Sequence, residues 1–242
     1  MIMRMPASVA KRLARRLLVP VRRRYYCGGK GQALVQRLPV GIRRKAGLDD
    51  DAAVGSRRIE IGCGPFPQAG YIHVDVDPGA RHIEAFAPAW RLPFPDEFAE
   101  EIVAVHSLEH VHPRRLVPTL REWRRVLAPG GRAQVHVPNT TELMHSFERS
   151  PVEQKWRIMG AVLGMYSGPD IARPEDLDAQ SDHQLRLDAE LLFWAFESAG
   201  FEGMEDLTET VSDRHTEGWS DVVPHFSLVV AAVKGPAGAV RR

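Results

Sequence analysis

Residues 57–78 read RRIEIGCGPFPQAGYIHVDVDP, and the fold follows from how that stretch is parsed. Ile59, Ile61, Ile72, Val74 and Val76 are apolar and β-branched, the composition of buried strands. The stretch therefore reads as a strand over 58–61, a glycine turn at Gly62-Cys63-Gly64, a proline-stiffened loop, and a second strand ending at Asp75. Gly62 and Gly64 lack Cβ, so backbone can press directly against a ligand there. Asp75 stands at the carboxyl end of its strand, where a carboxylate can grip two ribose hydroxyls. A dinucleotide turn would need a third glycine at position 67, opening a helix whose amides hold pyrophosphate. Position 67 is proline, after Pro65 and Phe66, which disfavours such a helix and a pyrophosphate with it.

A ligand with a ribose but no phosphate fits this turn better, and S-adenosylmethionine is the obvious one. Glu60-Ile-Gly-Cys-Gly-Pro65 resembles the first motif of class I S-adenosylmethionine-dependent methyltransferases. LPFPDEFAEEIVAVHSLEHV (92–111) and LREWRRVLAPGGRAQVHVPN (120–139) resemble the next two landmarks, and HQLRLDAELLFWAFESAGF (183–201) the late helix. Each motif alone is weak; four in register from residue 57 to Val233 are specific. The resemblance implies a Rossmann-like α/β three-layer sandwich, a mostly parallel seven-stranded sheet with an antiparallel last strand. It implies cofactor contacts at Gly62, Cys63, Gly64, Asp75 and Val76, with Glu60 bracing the turn and His106 and Leu108 lining the pocket opposite. Two departures stand out. The connection from Ile61 to the second strand is shorter than the usual helical crossover, as in a small subgroup of bacterial methyltransferases with Val-Asp-x-x-Pro. Pro88 occupies the position where relatives carry an acidic residue for the adenine amino group.

Composition sets the remaining bounds. Hydrophobic content of 44% and charged content of 26% are those of a globular protein, and the length suits one α/β domain with extensions. Net charge is only +1, yet basic residues gather towards the N-terminus. Within 6–24, Val9, Leu13, Leu17 and Val21 form an apolar stripe beside Lys11, Arg12, Arg15, Arg16 and Arg22–Arg24. That is a cationic amphipathic helix, suited to docking on the domain or to peripheral contact with an anionic membrane. Cys27 and Cys63 cannot make a disulfide framework, and Leu17–Val21 is too short for a membrane span, so a cytoplasmic protein is expected. Residues 1–56 form the basic helical extension and linker, and 57–242 the methyltransferase domain.

Within that domain the apolar pattern predicts a third strand near 82–86, a fourth over 102–105, a fifth over 134–137, a sixth over 204–209 and a last over 227–233. Helices are expected over 113–127, stopped by Ala128-Pro-Gly-Gly131, and over 188–200, with Leu191, Leu192, Trp194, Ala195 and Ala199 inward and Gly200 capping. Residues 140–182 exceed the minimal fold and read as an insertion that covers the substrate.

His106, Glu109 and His110 follow the fourth strand, at the edge where open α/β sheets bind ligands, and with His183 they are the catalytic candidates. His136, on the fifth strand, lies near the same edge. The other histidines, and Trp90 and Trp123, read as structural. Metal is the alternative at the catalytic group: His106-x-x-Glu109-His110 with His183 resembles the Glu-x-x-Glu-His plus later His set of small-RNA 2′-O-methyltransferases. A histidine in place of the first glutamate would favour zinc or manganese over magnesium. Leu-Glu-His also occurs in methyltransferases without known metals, so the expected site has none. The resulting expectation is methyl transfer from S-adenosylmethionine to oxygen or nitrogen of a small molecule, a sugar or lipid-linked glycan intermediate, without nucleic acid. The alternative is a degenerate, partner-binding methyltransferase fold, favoured by Pro88 and the short crossover and opposed by Gly62, Gly64 and Asp75.

Overall fold

Strands β1 (Arg58–Ile61) and β2 (Ile72–Asp75) pair in parallel, Ile59 opposite Ile72 and Ile61 opposite Val74. Both fall where the β-branched residues placed them. Around them stand β3 (Ala85–Phe86), β4 (Ala99–Val105), β5 (Leu127–Pro138), β6 (Glu202–Asp206) and β7 (Ser227–Val233) in a seven-stranded sheet of order β3-β2-β1-β4-β5-β7-β6. β7 runs antiparallel to both its neighbours, so β6 is again aligned with the parallel set. This is the Rossmann-like mixed sheet, mostly parallel with β7 antiparallel, that the resemblance implied. The computed structural model describes residues 56–64, 67–76, 83–164, 183–213, 216 and 219–236. The amphipathic segment at 6–24 and the linker up to residue 55 lie outside the described residues.

Helix α1 (Leu116–Val126), entered through a 3-10 turn at Pro113–Arg115, buries Leu116, Leu120, Trp123 and Val126, the stripe that its 3.6-residue period demands. α2 (Thr140–Arg149) and α3 (Val152–Leu163) fall within the insertion, and α4 (Ala189–Ser198) follows it. Asp188 caps α4, its carboxylate accepting from Leu191 N at 2.8 Å. α1 packs on α4 and β5, and α4 on β6 and β7. α2 and α3 share a smaller core, Leu143, Ile158 and Ala161 against Trp219, Val223 and Phe226, which fastens the insertion to the segment entering β7. Among the described residues no helix is long and apolar enough to cross a membrane.

The sequence reading needs three adjustments. Ala128-Pro-Gly-Gly131 does not separate α1 from β5: the chain turns extended at Leu127 and the strand begins at once, Leu127 pairing with Ala99 before an irregularity shifts the register to Arg132 opposite Glu101. β6 starts at Glu202, ahead of the expected Met204. Trp194 points outward, 55% exposed, because Leu192, Ala195, Phe196 and Ala199 already occupy the buried face.

The two tryptophans make opposite predictions. Trp123 is fully buried and donates Nε1 to Ala89 O at 2.9 Å, so Trp123→Ala should cost about 3–5 kcal/mol. Trp194→Ala should stay within about 0.5 kcal/mol. Urea unfolding of the two variants checks both, and a large loss at Trp194 would refute the orientation of α4.

Candidate active site

Parallel pairing brings the carboxyl ends of β1, β2, β4 and β5 to one edge of the sheet. There Gly62 takes φ +71°, open to glycine and costly for other residues, and donates N–H to Val74 O at 2.8 Å. A Cβ on Gly62 would stand 2.3 Å from Ser107 Cβ. The close approach that this glycine permits is thus to the residue after β4, whose Oγ donates to Ile61 O at 2.9 Å. Gly64 is different: φ is +55° and a Cβ would meet nothing within 4 Å. Its N–H donates to Asp75 Oδ2 at 2.9 Å, joining the turn to the end of β2. Glu60, buried, accepts from Gln68 N at 2.8 Å and Gln68 Nε2 at 3.0 Å, and so braces the loop between β1 and β2. Among the described residues that loop holds no helix. Open room at Gly64 beside the Asp75 carboxylate fits a nucleoside.

Cys63 is buried in the turn; burial and then the Asp75 charge push its thiol far up, which removes it as a nucleophile. Val76 is half-buried just past β2, while Leu108 is fully buried in the main core. Pro88, also buried, follows β3.

The catalytic candidates converge. His106 holds φ +48°, a left-handed conformation costly for a branched side chain, and its ring is nearly buried. Its Nδ1 lies 3.5 Å from Glu109 Oε1, an ion-pair approach at the limit of hydrogen bonding, and its Nε2 lies 2.8 Å from Ser227 Oγ. The 3-10 turn Leu108–His110 follows, and Glu109 O accepts from Gln184 N at 2.8 Å and Leu185 N at 3.0 Å. Those two bonds dock the strand-like segment after the insertion onto the turn and deliver His183, its Nε2 3.8 Å from Glu109 Oε1. His110 Nε2 lies 3.9 Å from the same oxygen, and His110 is the most exposed of the three rings, at 30%. Burial pushes the Glu109 carboxyl up, but His106, then His110 and His183, outweigh it and hold it at about 2. Burial lowers His183 to about 4, leaving that ring neutral at pH 7.

A second network escaped the sequence reading. Asp213, in the loop between β6 and β7, has Oδ2 2.7 Å from His136 Nδ1 and accepts at Oδ1 from Ser227 Oγ (3.1 Å) and Thr216 N (3.1 Å). Gln134 Nε2 reaches His136 Nε2 at 2.8 Å. No periodicity marks Asp213, but topology does: β6 is parallel to β5, so the loop leaving it must emerge at the ligand edge.

Residues 59–135 match the family model described as a methyltransferase domain, about a third of the chain and the part that carries the glycine turn, Asp75 and the Glu109 turn. Over that segment the chain is similar to a methyltransferase domain, and the order of its seven-stranded sheet is that of a Rossmann-like fold. Among solved structures, a methyltransferase from Archaeoglobus fulgidus is similar at 18% identity over 88% of this chain and 98% of that one (TM-score 0.46). A methyltransferase complexed with the Trm112 activator of Haloferax volcanii is 16% identical over 94% and 96% (TM-score 0.49). One from Methanosarcina mazei is 16% identical over 74% and 92% (TM-score 0.45). No curated protein matches the chain.

Two variants test this geometry. Gly62→Ala and Gly64→Ala both place a side chain at positive φ, but only the first drives Cβ into Ser107. Gly62→Ala should lose at least about 1 kcal/mol more in urea unfolding. Burial pushes the Asp213 carboxyl up, but the His136 hydrogen bond, His106 and Thr216 N–H bring it below the ordinary range. A carboxyl that ionises more readily folded than unfolded stabilises above about pH 4, and that contribution fades as pH falls further. Asp213→Asn should cost about 1–3 kcal/mol at pH 7 and flatten the acid limb; equal acid slopes in both proteins would contradict the network.

Proposed function

We propose that this protein is a class I S-adenosylmethionine-dependent methyltransferase acting on an oxygen or nitrogen of a small-molecule acceptor, a sugar or lipid-linked glycan intermediate. The observation that carries the first part is the cluster of Glu109, His106, His110 and His183 beside the glycine turn. An oxygen or nitrogen acceptor must shed a proton as its lone pair takes the methyl group, and this corner concentrates the groups suited to that task. S-adenosylmethionine held there would supply a methyl group activated on a sulfonium. Gly64 leaves room for the cofactor's approach, Gly62 lets the turn close on Ser107, and Asp75 is assigned to the cofactor's ribose. The insertion helices α2 and α3, fixed beside His106 through Phe226, are assigned to acceptor selection; the His106 and Phe226 rings lie 5.6 Å apart.

The sugar or glycan-lipid class rests on the basic amphipathic segment at 6–24. The segment would bring the domain to a membrane where lipid-linked acceptors lie. A nucleic-acid acceptor is disfavoured because that segment offers no aromatic platform beyond Tyr25 and Tyr26.

Calorimetry with S-adenosylhomocysteine is the direct test. The wild type should bind at micromolar affinity, and Asp75→Ala should lose about tenfold or more while keeping its circular dichroism and melting curve. A folded Asp75→Ala that binds like the wild type would remove Asp75 from the cofactor site. Transfer of radiolabelled methyl to RNA or protein, but to no glycan or small molecule, would overturn the acceptor class.

A further inference from the structure

We infer that Glu109, His110 and His183 form a binding site for a divalent transition-metal ion of the zinc type. The site stands on geometry alone; only its use rests on the methyltransferase reading.

The Glu109 side chain is buried, 1% exposed, and neither carboxylate oxygen accepts a hydrogen bond. Burying an ionised carboxylate without donors costs several kcal/mol. No imidazole makes a short bond to it: His106 Nδ1 stands 3.5 Å from Oε1, at the limit of hydrogen bonding, and His183 Nε2 and His110 Nε2 stop at 3.8 Å and 3.9 Å. For His183 the reason is visible. Its Nδ1 lies 3.3 Å from Val162 O, an atom that can only accept. Nδ1 therefore carries the hydrogen, and Nε2 presents a lone pair towards the carboxylate. Two electron-rich atoms face one another across a buried gap, an arrangement that a cation between them resolves.

The dimensions agree. One donor atom from each of the three residues lies within 4.8 Å of the others. Donors of a tetrahedral ion with bonds of about 2.1 Å stand about 3.4 Å apart, so the 3.8 and 3.9 Å separations from Glu109 need a slight contraction, and the two imidazoles, within 4.8 Å of each other, must draw together as the ion binds. The frame is rigid on the His183 side. Gly164, at the end of α3 with φ +68°, lies so close that a Cβ there would sit 2.5 Å from His183 Cδ2. The His183 N–H to carbonyl contact is the outer bond that metal-bound histidines usually make. His106 orients Glu109 from the other side and is itself held by Ser227. Two imidazoles and one carboxylate are a zinc-type donor set that keeps a fourth position open; magnesium prefers oxygen throughout. His110, partly exposed, marks the side from which that position is reached. An acceptor hydroxyl bound there would release its proton to water more readily.

The test uses the full chain, stripped with a chelator and dialysed, then titrated with zinc alone against a chromophoric competitor. One equivalent should bind, and cobalt in its place should give the visible absorption of a tetrahedral centre. Glu109→Gln and the His110→Asn/His183→Asn double variant should each weaken zinc by at least about 100-fold. His110→Asn alone changes a partly exposed ring and keeps the test informative if the buried variants fail to fold. Zinc should also raise the wild-type Tm, and the shift should shrink in that variant. No stoichiometric zinc in the wild type, or wild-type affinity in a folded variant, would overturn the site. S-adenosylhomocysteine calorimetry on the same samples separates the readings. Cofactor binding without zinc sinks the metal site alone, and zinc without cofactor binding sinks the methyltransferase reading alone.

Discussion

The ends of β1 and β4 meet where Gly62 faces Ser107, with room for a hydrogen and none for a carbon. Much of the ligand edge hangs on that contact. It sets how closely the turn after β1 can approach the turn after β4, and the Ser107 hydroxyl secures the approach on the carbonyl of Ile61. Gly62 also donates its N–H to Val74 O in β2, and Glu60 braces the loop further on at Gln68. Two residues after Ser107 comes Glu109. A local steric constraint thus holds the glycine turn and the histidine cluster in one frame.

Among the described residues, buried histidine–carboxylate groups occur around His73, His136 and Glu109 and are satisfied differently. His73 is closed on both sides, Nδ1 3.0 Å from Glu84 and Nε2 2.8 Å from Gln68 O, under β2. His136 is closed by Asp213 and Gln134. Both stiffen the strands that carry them, as fully paired polar groups do. Around Glu109 the same residue types converge without short hydrogen bonds to the carboxylate. Residue type alone does not distinguish these sites; the completeness of the hydrogen bonding does.

The sheet was legible because its signals are local. β-Branched residues at Ile59, Ile61, Ile72 and Val74, and the unbroken apolar run of β7, announce strands irrespective of tertiary detail. The cluster of His106, Glu109, His110 and His183 was also within reach, since its members bracket recognisable landmarks. What escaped depends on long-range pairing. Asp213 acquires meaning only once β6 is known to run with β5, and Ser227 only once β7 places its first residue opposite Pro138. Trp194 was misassigned because α4 is apolar nearly all round, and its buried face is chosen by the neighbours rather than by the pattern. The start of β5 was hidden by Pro129 and the glycines, which interrupt pairing with β4 without ending the strand.

β7 follows β6 in the chain yet lies between β6 and β5 in the sheet. Its first residue, Ser227, is the one that receives His106, and the loop before it supplies Asp213 and Phe226. During synthesis the glycine turn, the Leu108–His110 turn and both insertion helices all emerge before this strand exists. The chain must therefore hold a gap beside β5, or close it with β6 and reopen it, until β7 arrives. Completion of the ligand edge is consequently a late folding event, tied to insertion of a strand rather than to packing of a helix.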